Sequence, residues 1–281
     1  MTGSIWGGDR LDLDAYLARI GHTGDRRPTL DTLRALHRAH SAAIGFENLE
    51  VVLGRPVLLD LESLQAKLVR QRRGGYCYEQ NSLYAAALER LGFRVTGLGA
   101  RVRNGEDKLR PVSHATLKVT LDGTDWITDV GFGGEALLEP IPLRDGAEAR
   151  QGAWDFGIVR EPDTGIWVLR SRRADGWADL YAFTAEERFP VDYTVYNHYT
   201  STHPRSPFIR RVAVQKPGPD VRRTLIGREL TETRPDFTRE VRQVAPEEVP
   251  ALLDTAFGIT LTEQDAKELV ARYEADGDDA E

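Results

Sequence analysis

Cysteine is almost missing: Cys77 is the only one in 281 residues. A lone thiol excludes an internal disulfide framework and fits a reducing, cytoplasmic setting. Long hydrophobic runs are missing as well, and no apolar stretch approaches the ~20 residues of a membrane span. The opening MTGSIWGGDRLDLD has no basic segment leading into an apolar one, so no secretory signal is expected there. Positive charge is not in excess. A net charge of −7 argues against a nucleic-acid partner, and the short basic clusters at residues 70–73, 170–173, 210–211 and 222–223 read as solvated surface. No internal repeat is present. What remains is an ordinary globular composition, 41% hydrophobic and 29% charged, in a length that suits two or three domains.

The single cysteine sits in RRGGYCYEQN, residues 72–81. Gly74 and Gly75 permit tight or left-handed backbone just before it. Residues 78–90 (YEQNSLYAAALER) hold no glycine or proline and are rich in helix formers. The pattern places the thiol at the first turn of a helix, where free amides and the helix dipole favour a thiolate. A lone cysteine is more often a small buried hydrophobe, so a nucleophile needs a base and an orienting group elsewhere.

Taken in order, residues 1–8 read as loose. Helices are expected over 11–20, from 28 through His40, and over 61–70. His37 and His40 share one helical face, but no third ligand lies nearby and no metal site is expected. Residues 43–50 read as a loop; Glu47 lies between apolar residues and calls for a cation, Arg72 or Arg73. Strands follow at 94–102, 114–121, 124–130, 154–159, 165–170 and 177–183, with Asp122-Gly123 as a hairpin turn. Residues 191–198 start as a helix and the Ser/Thr/Pro-rich remainder to 211 reads as an ordered connection. Strands at 208–215 and 221–227 and helices at 246–257 and 262–275 complete the chain, with a frayed acidic tail over 274–281. The expected class is α+β: a helical bundle (1–93) carrying the thiol, a β-barrel (94–190), a connection (191–207) and an α/β lid (208–281).

His114 opens one hairpin strand and Asp129 ends the other. If Leu121 and Asp122 face each other across the turn, His114 and Asp129 stand directly opposite, at a separation suited to a carboxylate–imidazole hydrogen bond. The hairpin thus offers a base and its orienter. Whether the thiol reaches them depends on how the helices dock. The glycine-rich stretch Gly131, Phe132, Gly133 and Gly134 follows at once; it suits close approach to a phosphate or a simple turn, and it lacks the ending of a P-loop.

The string RGGYCYEQN, the segment Phe46-Glu47-Asn48-Leu49, His114 in its strand, Asp129-Val130-Gly131-Phe132-Gly133 and residues 199–208 (YTSTHPRSPF) occur in the order found in the arylamine N-acetyltransferase family, which this chain resembles from about residue 10 to 260. The resemblance implies a papain-like triad of Cys77, His114 and Asp129. It implies acetyl-CoA as co-substrate with no permanently bound cofactor, and a small aromatic amine or hydrazine as acceptor. Gly131 to Gly134 and Ser113 are then expected at the co-substrate site. Glu47, Arg73, Gly74, Gly75 and Asn81 are expected to support the thiol, with Asn81 backing the Glu47–Arg73 pair. The backbone amide of Cys77 and one near the histidine strand are expected as oxyanion donors. Tyr78 and Ser113 stand where the family favours Phe and Thr, and both are expected to line the pocket. An amide synthase closing polyketide chains, a cysteine hydrolase and a silent binding protein are the competing readings.

Overall fold

The computed structural model describes residues 4–106 and 108–278. Helix α1 (Leu13–Ile20) starts where Asp12 accepts from the Ala15 amide at 3.0 Å and stops where Gly21 turns left-handed at φ 69°. Helix α2 (Leu30–Ala43) is capped by Thr29. The stretch read as a loop instead holds a two-residue strand, β1 (Phe46–Glu47), and a single helical turn, α3 (Leu49–Val52). Helix α4 (Leu61–Leu64) widens into π-type turns over Gln65–Arg70. Helix α5 (Cys77–Arg90) is central, with every residue from Cys77 to Leu88 buried. Its run of three alanines lets neighbours approach on all sides, as a helix enclosed by its own domain requires. Residues 4–8 are not loose: the amides of Ile5, Trp6 and Gly8 donate to the Glu89 carboxylate at 2.7, 3.2 and 2.9 Å. Residues 1–3 lie outside the described residues.

The middle of the chain is an antiparallel sheet. Its strands are β2 (Arg94–Val102), β3 (His114–Leu121), β4 (Thr124–Thr128), β5 (Ile141–Pro142), β6 (Ala147–Gln151), β7 (Trp154–Arg160), β8 (Trp167–Arg173) and β9 (Gly176–Phe183). Their order is β5-β4-β3-β2-β9-β8-β7-β6. The two ends of the sheet, β5 and β6, are joined only by residues 143–146, so it curls into a nearly closed barrel. Leu98, Phe156, Ile158, Leu169, Leu180 and Phe183 fill its interior.

Helix α6 (Pro190–Thr202) runs further than expected. Asp192 accepts the Phe189 amide at 2.8 Å, Pro190 takes the first position, and the Ser201 and Thr202 hydroxyls bond back to the carbonyls of Asn197 and His198. These hydroxyls find their partners within the helix, so the Ser/Thr-rich end stays helical. The last sheet consists of β10 (Ala213–Lys216), β11 (Arg222–Ile226), β12 (Glu229–Thr233) and β13 (Arg239–Gln243), in the order β1-β10-β11-β12-β13. Strand β10 begins later than expected because residues 207–209 form a tight turn capped by Ser206. Strands β12 and β13 escape a periodicity reading because they are dominated by Glu, Arg and Thr, and β13 is exposed throughout. Helix α7 (Val249–Leu252) passes into π-type turns that end at Gly258, φ 69°. Helix α8 (Glu263–Asp278) extends into the acidic tail, whose last three residues lie outside the described ones. Among the described residues no helix is long and apolar enough to cross a membrane.

Strand β1 carries the fold's main consequence for the thiol. Although it belongs to the helical end of the chain, it forms the edge of the C-terminal sheet, with Glu47 opposite Val214. Its other side meets Gly75 through a parallel bridge, with Glu47 N donating to Gly75 O at 3.2 Å. The loop before Cys77 is thereby an extension of the C-terminal sheet.

Candidate active site

Cys77 is the first residue of α5, 4% exposed. What holds it there is tight packing rather than glycine backbone freedom. Neither Gly74 nor Gly75 has positive φ; the residue that does is Arg72, at 55°. A Cβ on Gly74 would stand 2.2 Å from the Gly45 carbonyl, and one on Gly75 would press on Glu79 at 2.8 Å. Glu79 also accepts the Tyr76 amide at 3.0 Å, closing the first turn.

Beneath the loop lies a buried ion network. Arg73 grips Glu47 with two hydrogen bonds, 2.9 and 3.2 Å, and the Leu49 amide adds a third donor to the carboxylate at 2.8 Å. Lys67 bonds Glu79 at 2.7 Å and stands 4.0 Å from Glu47. Arg73 also meets Glu50 at 3.1 Å and reaches Asp265 of α8 at 3.7 Å. Burial pushes the Glu47 carboxyl up, but Lys67 and Arg73 overcome that and hold it below the usual glutamate range. Sequence reasoning finds the Glu47–Arg73 pair and misses Lys67, Glu79, Glu50 and Asp265. Glu79 carries a readable signal, an acid three residues after the cap, but a tyrosine at the cap position hides it.

His114 and Asp129 meet, though not as the hairpin arithmetic expects. Asp122 and Gly123 both take positive φ, 48° and 75°, so the turn is a two-residue one and Leu121 faces Thr124. The ladder stops at Leu117 opposite Thr128. Asp129 therefore lies diagonal to His114. A two-residue slip keeps every side chain on its face, and His114 Nε2 bonds Asp129 Oδ2 at 2.6 Å. The other oxygen of Asp129 accepts from Asn81 Nδ2 and the Gly131 amide, both at 3.0 Å. Asn81 donates as well to the Ala115 carbonyl at 2.8 Å, and its own oxygen accepts the Val130 amide at 3.3 Å. Asn81 thus supports Asp129 and not the Glu47–Arg73 pair.

The imidazole lies between the carboxylate and the thiol. Cys77 is near enough to favour the charged form of the His114 ring, and with Nε2 given to Asp129 the ring nitrogen left over is Nδ1. Burial alone would push the His114 imidazolium down; Asp129 and Cys77 more than offset it and raise it to about 10. Asp129 is pushed up by burial and pulled further down by His114, Asn81 and Gly131, so it is held below the usual carboxylate range. Cys77 Sγ also stands 4.0 Å from the Ser113 carbonyl. Tyr181, which sequence reasoning misses, packs against His114 with the rings tilted at 48° and centroids 4.8 Å apart. Its hydroxyl lies 3.3 Å from the Thr116 hydroxyl. Nothing in its strand sets it apart from a core tyrosine.

Phe132 packs edge-on against His114 at 5.1 Å and against Tyr181 at 5.1 Å. The glycines around it answer to neighbouring protein. A Cβ on Gly131 would meet Cys77 Cα at 2.7 Å, and one on Gly133, where φ is 101°, would meet Gln215 Oε1 at 2.2 Å. The Gly134 amide donates to that same oxygen at 2.6 Å. Tyr78 is fully buried, edge-on to Tyr76, with its hydroxyl 3.4 Å from Thr200. His37 bonds Thr128 at 2.8 Å and the Leu137 carbonyl at 3.0 Å, and His40 bonds the Tyr16 hydroxyl at 2.9 Å. Among the described residues no group of three or more His, Cys, Asp or Glu is placed to hold a metal.

The N-acetyltransferase family model matches residues 29–266. The arylamine N-acetyltransferase of Mycolicibacterium smegmatis is 39% identical over 268 residues, covering 93% of this chain and 97% of that protein. The solved Nocardia farcinica arylamine N-acetyltransferase superposes with a TM-score of 0.90 at 48% identity, over 96% of this chain and 97% of that one. The Mycobacterium marinum arylamine N-acetyltransferase in complex with CoA does so with a TM-score of 0.88 at 36% identity, over 94% and 99%. The chain belongs to the arylamine N-acetyltransferase family.

Proposed function

We propose that this protein transfers an acetyl group from acetyl-CoA to the nitrogen of an arylamine, arylhydrazine or hydrazine through an acetyl-cysteine intermediate. The observation that carries the reading is the single thiol set against His114, itself bound to the buried Asp129 at 2.6 Å. The CoA-bound M. marinum relative supports the choice of donor.

In this mechanism the thiolate of Cys77 attacks the thioester carbonyl, and the C–S bond to CoA breaks as the proton on His114 passes to the departing sulfur. The acceptor nitrogen then attacks the acetyl-cysteine. His114 takes the proton the nitrogen loses, and Cys77 leaves as thiolate. Asp129 fixes the ring and stabilises its cationic form. Amides of the first turn of α5, Cys77 among them, are free of helical partners and suit the developing oxyanion. A thiol only 4% exposed demands that the donor insert its thioester end fully. We assign co-substrate contacts to the 131–134 segment and Ser113, a reading supported by the closeness of Gly131 and the Ser113 carbonyl to Cys77. The test is a panel of arylamines and hydrazines with acetyl-, propionyl- and malonyl-CoA. Amine-dependent CoA release with N-acetylated product is expected. CoA release at the same rate with and without every amine would instead mark a hydrolase.

A further inference from the structure

Cations gather without a counter-ion near the Ala43 carbonyl. Arg19, on α1, is 8% exposed. Its Nε donates to the Leu68 carbonyl and its Nη1 to the Ala43 carbonyl, both at 2.9 Å, while Nη2 has no partner. Lys216, at the end of β10, comes to the same place. A Cβ on Gly258 would stand 3.5 Å from Lys216 Nζ and 3.8 Å from the Ala43 carbonyl. The third cation is Arg72, exposed, four residues beyond Leu68 and tied by its carbonyl to the Thr260 amide at 3.4 Å. Among the described residues no carboxylate pairs with any of the three; the neighbouring Arg223 is taken up by Glu232 at 2.5 Å.

Such an arrangement is costly. A buried guanidinium nitrogen without an acceptor carries a desolvation penalty, and like charges add to it. The charges register one another: burial and then Arg72 lower Arg19 to about 10, and burial, Arg223 and Arg19 lower Lys216. A small doubly charged acceptor would relieve the whole set, since guanidinium and ammonium donors both suit phosphate oxygens.

We propose that Arg19, Arg72 and Lys216 form a binding site for a small tetrahedral oxyanion, a phosphate or a phosphomonoester, at the seam between α1, the end of the 65–70 turns and β10. The site is separate from the thiol's. Gln215, the next residue along β10, points to the opposite face of the strand, where its oxygen accepts the Gly134 amide. The basic run at residues 70–73 is thereby divided, Arg73 serving the buried Glu47 and Arg72 this seam.

The test is thermal unfolding of the full chain, with inorganic phosphate and glycerol phosphate titrated separately against chloride at constant ionic strength. A ligand that binds only the folded state should give a saturable rise of about 2–4 °C for the wild type. Lys216→Met should lose that rise, and without phosphate it should melt no lower than wild type, because it removes a repelling cation. Arg72→Gln, on an exposed side chain, serves as the second variant and should weaken the response. The pattern of responses to the two ligands identifies the occupant, whichever is bound. An equal rise in wild type and both variants, or no rise with either ligand, overturns the proposal.

Discussion

Asp129 accepts from His114 on one oxygen and from Asn81 and the Gly131 amide on the other, fully buried. A charge so enclosed is stable only while its donors stay in place. Asp129→Asn keeps the shape and removes the charge. It also reverses the preference for the His114 tautomer, because an amide nitrogen facing Nε2 donates where the carboxylate accepted. The expected outcome is a fall of about 10³–10⁴ in the rate of cysteine acetylation, read by stopped-flow release of CoA. The ion pair also shapes stability against pH. His114 is raised from 6.5 to about 10, so its contribution is present in full below 6.5, is lost as pH rises across that window and is gone above it. The slope for one proton is about 1.4 kcal/mol per pH unit at most. Urea unfolding between neutral and alkaline pH should show this loss in wild type and a flatter profile in His114→Asn.

At the scale of elements, the 131–134 segment and the start of α5 interlock. A Cβ on Gly131 would stand 2.7 Å from Cys77 Cα and 2.9 Å from Asn81 Nδ2, both parts of the thiol's support. Gly131→Ala therefore forces the helix start and the loop apart. A cost of about 1–3 kcal/mol is expected in denaturant unfolding. Acetylation should slow more than that loss explains, since the shift lies between thiol and imidazole. This interlock shows what sequence can and cannot supply. The helix beginning at Cys77, the strand from His114 and the turn at Asp122-Gly123 were legible because propensity and turn chemistry are local. The Gly131–Cys77 contact was not, since nothing local distinguishes a glycine needed for a turn from one needed for a neighbour. The register was within reach of the sequence, because an Asp-Gly pair is itself the signature of a two-residue turn; the positive φ of Asp122 and Gly123 agrees with it and moves Asp129 from directly opposite His114 to the diagonal. Strands β12 and β13 were hidden for another reason: β13 is exposed throughout, and β12 buries the adjacent pair Leu230 and Thr231, so neither shows an alternating apolar pattern.

At the scale of the molecule, the loop bearing Cys77 is held from both ends of the chain. Strand β1 joins it to the C-terminal sheet, and Arg73 joins Glu47 to Asp265 on α8. Breaking the network from the cation side leaves Glu47 buried beside Lys67 alone. Arg73→Met should cost about 3–5 kcal/mol in unfolding free energy, and Glu47→Gln in the same background should recover part of it. A double-mutant cycle in urea checks both. Intact-mass spectrometry of the protein mixed with acetyl-CoA alone checks whether Cys77 receives an acetyl group before any amine is present. One acetyl group per chain is expected, located on Cys77 by peptide mapping, with an equal amount of CoA released and neither change in Cys77→Ala. An unmodified wild-type protein, together with a Cys77→Ala variant that acetylates amines as well as wild type, would contradict an acetyl-cysteine intermediate.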